Sequence, residues 1–184
     1  MAAFEASLDA DPYSFLLAAR AYRYDLILVG YNAGTSLAGQ ANTVTYAIRK
    51  VIAEHIGGDN TMTVGGIGRG ALVARYALAS FEARNENHQV ERYFSYNGTV
   101  PSQEEGEELK RLRDWPIRPL KIGLVSADFT SEMVVDPPEY SPFDEGKKGA
   151  ANPGGQLITS ELGSWLLNAW TARTRPHRQA PAPA

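Results

Sequence analysis

The chain has 184 residues, of which 43% are hydrophobic and 21% are charged, and it carries a net charge of −3 and no cysteine. This length and composition predict one globular domain with a buried core and exclude disulfides and thiolate chemistry. The charge gives no electrostatic reason to expect nucleic acid as a partner, no apolar run approaches the roughly 18 residues of a membrane span, and no signal-peptide pattern opens the chain, so we expect a cytoplasmic, soluble protein.

Helix-like and strand-like patterns alternate along the chain. Apolar residues at helical spacing predict helices, and short apolar runs between turn residues predict strands buried on both faces. In chain order the predicted elements are a helix at 12–22, a strand at 24–31, a helix at 41–56, a strand at 61–66, a helix at 69–84, a strand at 90–98, a helix at 101–115, a strand at 118–128 and a helix at 160–173.

This alternation predicts an α/β fold, a three-layer sandwich around a mostly parallel sheet of about four or more strands. We expect a single domain over 1–174. Within it, residues 129–159 are rich in Pro, Gly and charge and are predicted to be a long loop. The Pro- and Ala-rich end, 175–184, is predicted to be a disordered tail.

Ligands of parallel sheets bind at the carboxyl ends of the strands, so any site is expected there. The polar and glycine residues at these ends are the candidate binding residues: Asn32, Gly66, Gly68, Arg69, Asn97 and Asp128. No metal site and no cofactor are expected. The charge run EEGEELKRLRD, within 101–115, is predicted to be a solvated helix face.

The turn after the second predicted strand has two interpretations. Residues 66–71 match G-x-G-x-x-A between a strand and a helix, which is typical of a phosphate-binding turn to which Arg69 would add a charge. A dinucleotide site also needs an acidic residue about 20 residues further on, at the end of the next strand, and that strand ends in Tyr96 and Asn97. A nucleotide-binding module that uses the turn at 65–70 therefore stays an alternative.

The second interpretation is a nucleophile elbow, the G-x-S-x-G turn from strand to helix. The segment GGIGRGALVARYAL, residues 65–78, resembles the G-x-S-x-G-G-L-V-A-R-Y-A-L stretch of lipase- and esterase-like α/β-hydrolases. The similarity extends over about 12–130. It implies that Gly66 and Gly70 are the two motif glycines and that Gly68 stands at the nucleophile position.

The chain departs from that family at the residues that do the chemistry. Glycine supplies no nucleophile, and a serine hydrolase also needs a base that takes its proton. Of the three histidines, His55 would end a helix, His88 is predicted to be solvated in a loop, and His177 lies in the tail. Asp128 has the position of the family's acid, but a turn-capping role is the alternative. The resemblance also implies a strand between the first two predicted strands, for which the sequence has no counterpart.

We therefore expect an α/β-hydrolase-like domain that does not hydrolyse esters through serine and has no catalytic residue, a pseudoenzyme or a scaffold for a ligand or partner. Its partners would be a small acyl or hydrophobic ligand, a second copy of the chain or a complementing chain. The alternatives are a serine ester hydrolase, active or inactivated by replacement of its serine, the nucleotide-binding module, and a non-hydrolytic enzyme that uses the same cleft.

Overall fold

The structure is a computed structural model that describes residues 2–9, 12–54, 61–129, 142–154 and 156–171. The helices are α1 (Ala2–Leu8), α2 (Phe15–Ala21), α3 (Leu37–Glu54), α4 (Arg69–Ala83), α5 (Gln103–Arg111) and α6 (Ser160–Thr171). The strands are β1 (Met62–Ile67), β2 (Val90–Tyr96), β3 (Leu120–Ser126) and β4 (Glu145–Gly149).

The four strands form one parallel sheet in the order β1-β2-β3-β4. One hydrophobic cluster joins one face of the sheet to α3, α4 and Leu109 of α5. A second cluster joins the other face to α1, α2 and α6. The predicted α/β sandwich with a parallel sheet is therefore confirmed.

Helix starts follow their capping residues. The side chain of Ser14 accepts a hydrogen bond from the amide of Leu17, so α2 begins at Phe15 rather than at the predicted Pro12. Ser102 and Glu105 form a reciprocal capping box at the start of α5. Both caps lie at helix N-termini, where the first amides have no acceptor within the helix.

Two predictions about strands are wrong. The run at 24–31 belongs to no strand: among the described residues its backbone from residue 25 to residue 31 pairs with no other backbone group, and Ile27 is 64% exposed. The predicted loop at 129–159 contains β4, whose sequence EGKKG lacks apolar residues. Among the described strands β4 pairs only with β3 and so lies at an edge of the sheet, and charged side chains such as lysine are typical of edge strands.

Candidate functional site

The chain reverses sharply between β1 and α4. Gly68 is the one residue between them, with φ 54° and ψ −124°, a conformation that L side chains rarely adopt. Its amide donates to the carbonyl of Tyr96 at 2.9 Å, and its carbonyl accepts from the amide of Thr99 at 3.2 Å. The turn is therefore fixed to the end of β2 as well as to its own helix.

The two motif glycines, Gly66 and Gly70, differ in the space that a side chain would have. A Cβ atom on Gly66 would lie 2.3 Å from the carbonyl carbon of Gly70, so β1 and α4 approach too closely for any side chain at position 66. A Cβ atom on Gly70 would meet no atom within 4 Å. The close approach at Gly66 is what allows the strand to turn back into the helix within a single residue.

The position that a nucleophile would occupy is open. A Cβ atom on Gly68 would have as nearest neighbours Oγ1 of Thr99 at 3.9 Å and the carbonyl oxygen of Asn97 at 4.0 Å. The space therefore permits a side chain, while the positive φ favours glycine.

Asn97, at the end of β2, connects the neighbouring strand ends. Its side-chain oxygen accepts from the amide of Ser126 at 2.9 Å, and its side-chain nitrogen donates to Oγ of Ser126 at 2.9 Å. Asn97 also has a positive φ of 46°, which asparagine tolerates better than most residues. Its amide group is thus occupied within the protein, between β2 and β3.

Arg69 is the charged group of the turn, and its charge is paired. The guanidinium forms a two-pronged ion pair with the carboxylate of Glu105, and its Nε donates to Gln40 at 3.2 Å. Glu105 is wrongly predicted to be solvated, since only 19% of its side chain is exposed. The guanidinium lowers the pKa of Glu105 to about 2, and the hydrogen bond to Glu105 raises the pKa of Arg69.

Gln40 extends this network to the turn that contains Asn32. The Gln40 side chain is buried and donates to the carbonyls of Ala33 at 3.3 Å and of Thr35 at 2.8 Å. Asn32 folds locally, with its side-chain oxygen accepting from the amide of Gly34 at 2.9 Å. The turns at 32–35, 68–70 and 97–105 are therefore tied together by one chain of polar contacts.

Asp128 lies two residues beyond the end of β3, where it also contacts the Ser126 side chain that binds Asn97. The Asp128 side chain is exposed, and its pKa is lowered chiefly because it accepts a hydrogen bond from the backbone amide of Asn152. This contact is the turn-capping role that the sequence left open beside the acid role.

The prediction of a solvated His88 is wrong. Its ring is 1% exposed, Nδ1 accepts from the amide of Val90 at 3.0 Å, and Nε2 lies 3.2 Å from Glu82. Burial lowers its pKa. His88 follows the far end of α4, about 20 Å along the helix from Gly68. His55 and His177 lie outside the described residues.

The sequence interpretation missed Gln40, Thr99 and Glu105. The S-x-x-E pattern at 102–105 was a readable capping-box signal, but nothing local in the sequence pairs Glu105 with Arg69, 36 residues away. Thr99 also borders a small pocket of about 10 Å³, room for at most one water molecule, which the buried Ser95 lines as well.

Comparison with protein-family models, curated proteins and solved structures found no match. The resemblance to α/β-hydrolases therefore depends on the segment at 65–78 and on the turn described above. Within the described parts of the chain, no helix is both long and apolar enough to cross a membrane.

Proposed function

We propose that the chain is a non-hydrolytic scaffold of the α/β-hydrolase type, which binds a small acyl or hydrophobic ligand over an elbow that has no nucleophile. The observation that carries the proposal is the conformation of Gly68. A one-residue reversal from strand to helix at φ 54° and ψ −124° strains any residue with a side chain, and its usual purpose is to expose a side chain at a sheet's carboxyl end. Here that side chain is a hydrogen atom.

The surroundings of Gly68 support binding rather than acyl transfer. The nucleophile position is open, and among the described residues the amides of Arg69 and Gly70 have no backbone acceptor, so they are available to a carbonyl or carboxylate oxygen. Within the same residues, the one histidine is buried at the other end of α4 and is engaged by Glu82. A histidine base near residue 68 is therefore lacking in the part of the chain that the structure describes.

The contacts of Arg69 disfavour the nucleotide alternative. A phosphate would have to compete with the Glu105 carboxylate for the guanidinium, and displacing it would leave a negative charge beside the phosphate. The close packing of Gly66 against Gly70 gives these glycines a purpose that needs no phosphate.

Ester hydrolysis and binding can be tested with one compound, p-nitrophenyl butyrate. We expect no turnover by the natural chain or by Gly68→Ser, because a serine without a positioned base is a weak nucleophile. Gly70→Ser, which places a hydroxyl one residue beyond Arg69 in open space, is the matched control. Turnover that appears only in Gly68→Ser would replace the proposal with the alternative of a complete hydrolase site whose serine is missing.

Binding of the uncleaved ester is followed by amide NMR shifts in the natural chain. We expect the shifts to concentrate on Gly68, Arg69, Gly70 and Thr99. Shifts absent at saturating ester, or spread evenly over the exposed apolar surface, would contradict the ligand-binding part of the proposal.

A further inference from the structure

The segment at 24–31 has the side-chain pattern of a strand without the hydrogen bonds of one. Tyr24 and Leu28 pack against the cluster on the α6 face of the sheet, whereas Val29 and Tyr31 pack against the cluster on the α3 and α4 face. Alternation between two faces is the signature of extended, pleated backbone. Within the described residues, however, the backbone from residue 25 to residue 31 makes no hydrogen bond to another backbone group.

β1 has an unpaired edge of its own. It pairs with β2 on one side, and among the described residues no strand pairs with it on the other. The amide of Gly68 points towards Tyr96 of β2, so alternation along the strand directs the amides and carbonyls of Thr63, Gly65 and Ile67 to the free side. All six residues of β1 are partly exposed.

The two unpaired segments share their hydrophobic contacts. Met62 and Val64 of β1 contact the same hydrophobic cluster as Val29 and Tyr31. Ile67 contacts the same cluster as Leu28. The two backbones nevertheless do not pair with each other, and Leu26 and Ile27 are left 36% and 64% exposed.

We propose that this free side of the sheet, formed by β1 and residues 24–31, binds an extended apolar strand contributed by a separate polypeptide chain. The backbone specifies the occupant, because its unpaired groups recur every two residues, about 6.6 Å apart, and only another extended backbone matches that spacing. Apolar side chains flank both faces, so the incoming strand needs apolar residues at nearly every position, rich in Val, Ile and Leu. The inference does not depend on a ligand at Gly68.

The first measurement is amide hydrogen exchange on the full, purified chain. We expect amides 25–31 and those of Thr63, Gly65 and Ile67 to exchange rapidly, while those of Val64 and Gly66, which face β2, are protected. Protection of 25–31 in a monomer would overturn the proposal, because those groups would already be paired. Protection in a chain that sediments as a dimer would also overturn it, since a second copy would then be the occupant.

The second measurement selects binders from a display library of random eight-residue segments. We expect enrichment of proline-free apolar sequences, and we expect N-methylation of alternate amides in a synthetic copy to weaken binding at least tenfold. Thr63→Pro, which removes one outward amide, should weaken the same peptide about tenfold, whereas Thr63→Ala, which keeps the amide, should not. No enrichment, or binding that is indifferent to N-methylation, would overturn the proposal even if Thr63→Pro failed to fold.

Discussion

Gly68 and Asn97 follow neighbouring parallel strands, and both have a positive φ, 54° and 46° respectively. Asn97 uses its side chain fully, with two hydrogen bonds to Ser126 that close the gap between β2 and β3. Gly68 has no side chain, and a Cβ atom at this position would lie 3.9 Å from its nearest neighbour, Oγ1 of Thr99. At the carboxyl edge of the sheet, the hydrogen bonds between Asn97 and Ser126 therefore cover the ends of β2 and β3, whereas the end of β1 is open.

The largest loss of stability is expected at Gly66, where the backbones of β1 and α4 are in direct contact. Gly66→Ala would place a Cβ atom 2.3 Å from the backbone of Gly70, which cannot move without shifting α4. We expect a loss of about 3 kcal/mol or more in the free energy of unfolding, measured by urea denaturation. Gly70→Ala is the control, and it should be neutral or stabilise the helix by up to about 1 kcal/mol. Equal losses in both variants would show that the close approach is not the reason for Gly66.

The covered ends of β2 and β3 are tested by removing the Asn97 side chain, which makes the hydrogen bonds to Ser126. Asn97→Ala loses two hydrogen bonds to the buried Ser126 and puts alanine at a positive φ, so we expect a loss of about 2–3 kcal/mol in unfolding free energy. Asn97→Gly loses the same bonds without the backbone strain and should recover about 1 kcal/mol of that loss. If Asn97→Gly were as stable as the natural chain, the bridge would contribute nothing.

Adding a side chain to the open side should cost less. Gly68→Ala meets no atom closer than 3.9 Å, so its only penalty is the positive φ, about 1–2 kcal/mol. Thermal unfolding monitored by circular dichroism would measure it. Collapse of the fold would mean that the space above Gly68 is filled, which would remove the contrast with Asn97.

The smallest effect concerns the ion pair that ties the turns together. Ion pairing lowers the pKa of Glu105 to about 2, so its stabilisation is complete above the ordinary carboxyl pKa near 4.5 and is lost as the pH falls towards 2. Glu105→Gln keeps an oxygen for the Ser102 amide but removes the charge. We expect it to be less stable than the natural chain by under about 1 kcal/mol at pH 7, with the gap narrowing below pH 4.5. A gap independent of pH would assign the effect to packing.

The sequence predicts most of the helices and strands of this fold and the position of Gly68 in the elbow. Apolar periodicity located α3, α4 and α6 and three of the four strands, and the glycine spacing placed Gly68 at the reversal that the structure contains. The failures came where structure depends on a neighbour rather than on the residues themselves. Residues 24–31 have a strand's composition but no partner strand among the described residues, and β4 has a partner strand but no strand-like composition.

The same distinction, between features set by local residues and features set by distant neighbours, applies to the candidate site. The positive φ of Gly68 was predictable because only glycine fits it readily, and the close packing of Gly66 follows from the same motif. The pairing of Arg69 with Glu105 and the burial of His88 were not predictable, because each depends on contacts with a helix or loop distant in sequence or on enclosure by the core. Asp128 was predicted to end the strand at 118–128 and lies two residues beyond the end of β3, and its contacts with Asn152 and Ser126 were not predictable from the sequence.

The central claim is that the elbow presents backbone where a hydrolase presents a reactive oxygen. The most direct measurement is the intact mass of the natural chain after incubation with an excess of a fluorophosphonate, which forms a covalent adduct with an activated serine. We expect an unchanged mass. An adduct of one phosphonyl group per chain, mapped to any serine, would contradict it.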